Sequence, residues 1–168
     1  MTMDRTMSDA PIPIALCADD YAQNQSIDDG ILSLLAEQRL SAVSCFSTAP
    51  RWMQQSAPAL REAATAAAVD VGLHFNLTEG FAEAAPFRLR GLILRCLLTR
   101  LDSGWLRQRL HRQLDAFEAG YGKLPAFIDG HQHVHQLPGV RQVLLQVLGS
   151  RHAVLAGTVF RTQIGASA

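Results

Sequence analysis

The sequence predicts an α/β fold, a parallel sheet or barrel with helices on its outside, on two observations. Short segments that are apolar at both parities recur along the chain, which is how a strand covered on both faces reads. Between them lie segments with apolar residues at helical spacing, so strand and helix alternate from residue 12 to residue 162. In such folds the ligand site lies at the carboxyl ends of the strands. At 168 residues and 48% hydrophobic the chain can bury one sizeable core, and residues 1–168 read as a single domain with a flexible segment at 1–11.

Taken in order, IPIALCADD (12–20) is an apolar run that closes on two aspartates, the first strand. SIDDGILSLLAEQR (26–39) is a helix: Ser26 and Asp29 have capping-box spacing, and Ile27, Ile31, Leu34 and Leu35 form one stripe. LSAVSCFST (40–48) is the second strand, and residues 49–68 a helical region ending in an alanine-rich patch and broken near Pro58. The third strand, VDVGLHFNLT (69–78), alternates, with Leu73, Phe75 and Leu77 on a packing face and Gly72, His74 and Asn76 on a polar one. PFRLRGLILRCLLTRL (86–101) is amphipathic and reads as a surface helix packing on its own domain. A longer helix follows over 103–122, with Leu106, Leu110, Leu114 and Phe117 as its stripe and Gly120 or Gly122 as its stop. LPAFIDGHQHVH (124–135) is the fourth strand, 138–151 a helix with Pro138 near its start, and AVLAGTVFRT (153–162) a fifth strand.

Composition narrows the function. Fifteen basic and fifteen acidic side chains cancel, which leaves no overall field to draw in nucleic acid or an anionic membrane. The first residues carry no apolar signal core, and no run approaches the roughly 18 apolar residues of a membrane span, so a soluble cytoplasmic protein is expected. Three cysteines, Cys17, Cys45 and Cys96, without CxxC spacing indicate neither a disulfide framework nor a cysteine zinc site; they read as small buried hydrophobes. There is no GxGxxG, GxxxxGK[ST] or GxSxG motif.

The polar residues fall at the ends of predicted strands. Asp19 and Asp20 close the first, His74 lies late in the third, and Asp129 with His131 late in the fourth, so all should meet at one rim. In a regular strand Asp129, His131, His133 and His135 would share a face, with the last of them expected to enter the loop. Taken singly these features have plain structural explanations: an Asp-Asp pair caps turns, and a lone histidine is often a satisfied core residue. Their joint placement on three strand ends favours a site of two imidazoles and one carboxylate, with coordination positions open, for zinc or another divalent ion.

Three motifs carry a resemblance. CADDYAQNQSIDDGIL, VDVGLHFNLTEG and PAFIDGHQHVHQLP resemble, in order and approximate spacing, the N-terminal motifs of the YdjC-like carbohydrate deacetylases, which include chitooligosaccharide deacetylases and the deacetylase of hopanoid biosynthesis. The resemblance implies an irregular (β/α) barrel of the polysaccharide-deacetylase type, with parallel strands and outer helices. It implies hydrolysis of an N-acetyl group on an amino sugar, with one divalent metal, magnesium or zinc. Carried over by position, Asp20, His74 and His131 would be the metal ligands and Asp19 the general base. Asp129 would orient His131 or a nearby group, and His133 and His135 take no catalytic role.

The chain departs from that family where members usually continue for many tens of residues past the fourth strand, with a late histidine associated with the acid role. Here the sequence stops at Ala168. An incomplete barrel is therefore expected, with homo-oligomerisation to cover its open strand edges. Two other readings stay open: a sugar- or metal-binding remnant of that family without turnover, and another two-histidine-one-carboxylate enzyme such as a non-haem iron oxygenase. Residues 81–101, which would shape the sugar site, carry no readable code.

Overall fold

A computed structural model describes residues 14–81, 85–150 and 159–160. The expectation for residues 1–11 lies outside these, as does all of the fifth predicted strand but two residues. Five strands form one sheet: β1 (Cys17–Tyr21), β2 (Ala42–Cys45), β3 (Asp70–Phe75), β4 (Phe127–Gly130) and β5 (Val159–Phe160). Every pairing is parallel and the order is sequential, β1-β2-β3-β4-β5. A doubly wound sheet reverses its order at a switch point; a sequential order is that of a (β/α) barrel wall. Among the described residues β1 and β5 are its two edges.

Helices α1 (Gln25–Ala36), α2 (Ala57–Ala67), α3 (Leu89–Leu97), α4 (Ser103–Tyr121) and α5 (Val140–Ser150) fill the crossovers. The first begins one residue before the predicted Ser26–Asp29 box, because Asn24 is the cap and its Oδ1 accepts from the Ile27 N–H at 3.1 Å. Its inner line is Ile31 and Leu35 with buried Asp28, while Leu34 is exposed and leaves the stripe. The break near Pro58 is a π-helical turn over Trp52–Ser56, and Pro58 falls in the first turn of α2, where its missing N–H has no intrahelical partner to lose.

Leu106, Leu110, Leu114 and Phe117 of α4 are fully buried, each worth about 2 kcal/mol, and join Val43, Cys45, Leu73, Phe75 and Ile128 of the sheet in one core. Gly122, at φ +80°, is the stop of α4, and Gly120 lies within the helix. On α3 only Leu92 and Cys96 are buried, with Leu94, Leu97 and Leu98 exposed. Of the three free cysteines, Cys45 and Cys96 are buried as expected, whereas Cys17 is half-buried at the start of β1. Among the described residues no helix is long and apolar enough to cross a membrane.

Candidate metal centre

The carboxyl end of β1 is bent by design of its sequence. Pairing with β2 slips between Ala18 and Tyr21, and Asp20 and Ala22 take left-handed backbone at φ +64° and +76°. An aspartate tolerates that region; an alanine is strained there and must be held. The holder is Asp28 of α1, whose Oδ1 accepts from the Ala22 N–H at 2.7 Å. Its Oδ2 accepts from Ser56 Oγ at 2.6 Å and lies 3.3 Å from Arg51 Nε. The kink separates the two neighbouring aspartates. Asp20 reaches two imidazoles, while Asp19 accepts from Cys17 Sγ at 3.5 Å and groups with Cys17 and Asp129.

The remaining groups come from β3 and β4. These strands pair with His74 beside Asp129, so the two side chains leave the same face of the sheet as neighbours. His74 Nδ1 lies 2.7 Å from Asp129 Oδ1, and Ser44 Oγ donates to that same carboxylate oxygen from β2 while standing 3.1 Å from the imidazole nitrogen. The other nitrogen, His74 Nε2, faces Asp20 Oδ1 at 3.2 Å. His131 is the first residue after β4, and its Nδ1 lies 2.9 Å from the same Asp20 oxygen. Phe46 packs edge-on against both rings, at 5.1 Å from His74 and 5.0 Å from His131.

One sequence expectation is corrected here. The polar face of β3 does carry His74 and Asn76, and both are buried along with its apolar face. The fourth strand ends at Gly130, and His131–Gln136 forms a tight 3₁₀ turn with Gln132 and His133 at φ +52° and +59°. Asp129, His131, His133 and His135 therefore do not share a strand face. His133 is exposed and His135 is buried, and burial holds the His135 imidazole below its usual pKa. Of the expected partners, His131 or a nearby group, the one beside Asp129 is His74, which lies next to it in register.

Electrostatics follow the geometry. Burial alone would lower the pKa of His74, but its hydrogen bonds to Asp129 and then Asp20 outweigh that and raise it to about 9. The Asp20 carboxyl is held far below the usual carboxylate range, first by its hydrogen bond with His131 and then by that with His74. At neutral pH and without metal, His74 is an imidazolium between two carboxylates.

Asp20, His74 and His131 each offer one ligand atom, and these atoms all lie within 4.8 Å of one another. One carboxylate oxygen and two imidazole nitrogens converging from three strand ends suit a divalent ion, and the second nitrogen of His74 is already engaged by a carboxylate, as ligating histidines require. The residues fit a metal. Sequence reasoning missed Ser44, Asp28 and also Glu79, whose Oε2 lies 3.8 Å from His131 Nε2. A polar residue inside the buried strand AVSC was the available signal for Ser44; nothing local marked the others.

The family model described as YdjC-like protein matches residues 13–165. A carbohydrate deacetylase of Xenopus laevis is 29% identical over 154 residues, 83% of this chain and 48% of that protein. The Homo sapiens carbohydrate deacetylase is 29% identical over 157 residues, 84% of this chain and 47% of that protein. A chitooligosaccharide deacetylase of Yersinia enterocolitica is 36% identical over 81 residues, 44% of this chain and 32% of the relative. The chain thus spans about half the length, or less, of these relatives. A crystal structure from Enterococcus faecalis, described as that of a cellobiose-phosphate cleavage protein, superposes with TM-score 0.61 at 17% identity, covering 81% of this chain and 55% of that one. This likeness concerns the fold alone.

Proposed function

Because this chain belongs to the YdjC-like protein family, we propose that its strand-end site serves metal-dependent removal of an N-acetyl group from an amino sugar or short N-acetylated oligosaccharide. The observation that carries the reading is the convergence of His74 Nε2 and His131 Nδ1 on one oxygen of Asp20, at 3.2 and 2.9 Å. The printed names of the relatives, carbohydrate deacetylase and chitooligosaccharide deacetylase, support the reaction class.

Asp20, His74 and His131 hold the ion, magnesium or zinc. When bound, such an ion polarises an acetamide carbonyl and acidifies a water molecule. Asp129 keeps the proton of His74 on Nδ1, so that Nε2 presents its lone pair; Ser44 donates to Asp129 and fixes that carboxylate in turn. Asp19 stands outside the three-residue set, in the adjoining group with Cys17 and Asp129, and the resemblance to the YdjC-like deacetylases makes it the base that takes a proton from the attacking water. Water oxygen then bonds to the acetyl carbon, the carbon–nitrogen bond breaks, and the amine takes up a proton as acetate leaves. No described residue is assigned the donor of that last proton.

The test is acetate release from N,N'-diacetylchitobiose and related N-acetyl sugars by the protein stripped of metal and then reloaded with zinc, magnesium, manganese or cobalt. Metal-dependent release that vanishes in Asp19→Asn, with metal binding retained, supports the reading. Unchanged metal binding in both His74→Ala and His131→Ala would sink the ligand assignment, and tight binding without release would mean a metal- or sugar-binding protein instead.

A further inference from the structure

Glu79 sits in the turn after β3. One side chain, Asn76, holds both backbone groups of Glu79: its Oδ1 accepts from the Glu79 N–H at 2.8 Å and its Nδ2 donates to the Glu79 carbonyl at 2.9 Å. The same Oδ1 also accepts from the Thr78 N–H at 3.0 Å. Asn76 is itself clamped from α4. Gln113 Oε1 accepts from the Asn76 N–H and Gln113 Nε2 donates to the Asn76 carbonyl, both at 2.8 Å, so a buried side-chain amide imitates a neighbouring strand. Ser47 Oγ then bonds the Gln113 carbonyl at 2.7 Å.

A residue with 38% of its side chain exposed is thus mounted on a backbone held by buried hydrogen bonds. Its carboxylate is held above the site: Glu79 Oε2 lies 3.8 Å from His131 Nε2, the ring nitrogen opposite the one facing Asp20. The two histidines are therefore used in mirror-image fashion. His74 turns Nε2 to Asp20 and Nδ1 to Asp129; His131 turns Nδ1 to Asp20 and Nε2 to Glu79.

We infer that Glu79 is the positioning residue for His131: in the ring that holds the ion through Nδ1 the remaining proton lies on Nε2, and the Glu79 carboxylate is the group placed to accept it. Without metal the contact is an ion-pair distance of 3.8 Å, and it is Nδ1 that donates, to Asp20 at 2.9 Å. The inference rests on the reading of His131 as a ligand, and it extends to His131 the service that Asp129 performs for His74. The substitution Glu79→Ala removes the acceptor, whereas Glu79→Gln keeps an accepting oxygen on the same backbone.

The experiment measures zinc affinity by chelator competition, and the solvent exchange of the His131 Nε2–H in the zinc-loaded protein by proton–nitrogen NMR, on the full chain in wild type, Glu79→Ala, Glu79→Gln and His131→Ala. The expected result is an affinity loss of about tenfold to a hundredfold in Glu79→Ala, with faster exchange of the His131 Nε2–H and with the melting curve unchanged. Glu79→Gln recovers most of the affinity. Wild-type affinity and Nε2–H exchange in Glu79→Ala, beside lost affinity in His131→Ala, would overturn the inference and leave the ligand reading intact. Wild-type affinity in His131→Ala would remove both.

Discussion

Metal affinity should climb steeply between neutral and alkaline pH, because the ion must evict a proton. In the metal-free protein the His74 pKa stands at about 9, raised from 6.5 by Asp129 and Asp20 against the opposing effect of burial. Binding requires the Nε2 lone pair, and therefore an uncharged ring. Two pH units below 9, about 99% of the molecules carry the extra proton, and displacing it costs about 3 kcal/mol at 1.36 kcal/mol per unit. The apparent affinity at pH 7 should be about 100-fold below its plateau, rising about tenfold per unit and flattening near pH 9. For the metal-free fold the sign is opposite. With its folded pKa above the unfolded 6.5, His74 contributes stability that is complete below 6.5 and is lost as pH rises through about 9. Chelator competition at half-unit steps measures the slope, and calorimetry in two buffers of different ionisation enthalpy counts the protons released. A flat profile from pH 7 to 9, or binding without proton release, would refute the imidazolium between two carboxylates.

Three further outcomes can be checked. Asp129→Asn should lower plateau metal affinity about tenfold to a hundredfold and move the break in the pH profile downward, since the largest upward influence on His74 is gone; an unmoved break would show that Asp129 does not govern that ring. Asp28→Ala should destabilise the fold by about 3 kcal/mol in chemical denaturation, because it strands the Ala22 N–H and the Ser56 hydroxyl; a loss below half a kcal/mol would mean the β1 kink holds itself. Gly120→Ala and Gly30→Ala should have opposite signs although both lie inside helices. A Cβ at Gly120 would stand 2.3 Å from Trp52 Nε1, whose N–H is committed to the Ala116 carbonyl, and this overpacking outweighs the helix-propensity gain of about 1 kcal/mol. A Cβ at Gly30 meets nothing within 4 Å, so the gain remains, and equal shifts in the two variants would contradict the packing described for Trp52.

The parts of the fold legible in the sequence were those written in local periodicity. The α4 stripe of Leu106, Leu110, Leu114 and Phe117 is a helical spacing that packs as it reads. The order of strands and helices follows from the same kind of signal. Cap chemistry was less legible: Asn24, Ser26 and Asp29 are all capping residue types, and only the backbone of Asn24, extended at φ −157°, makes it the cap. The histidine run was legible in part: its last members were expected in the loop, but the strand already ends at Gly130, where the chain curls into left-handed backbone at Gln132 and His133.

The sequence by itself determined the alternating architecture and the chemistry on offer: carboxylates and imidazoles at the ends of β1, β3 and β4. The tertiary structure alone decided which atom meets which. The register of β3 on β4 joins residues 55 apart and assigns Asp129 to His74, the kink held by Asp28 turns Asp20 to the two imidazoles and leaves Asp19 beside Cys17, and the Gln113–Asn76 clamp brings Glu79 near His131. Periodicity records which face a side chain leaves from, because that depends on a few neighbouring dihedrals. It holds no record of the distance between groups on different strands, which depends on how the whole core packs.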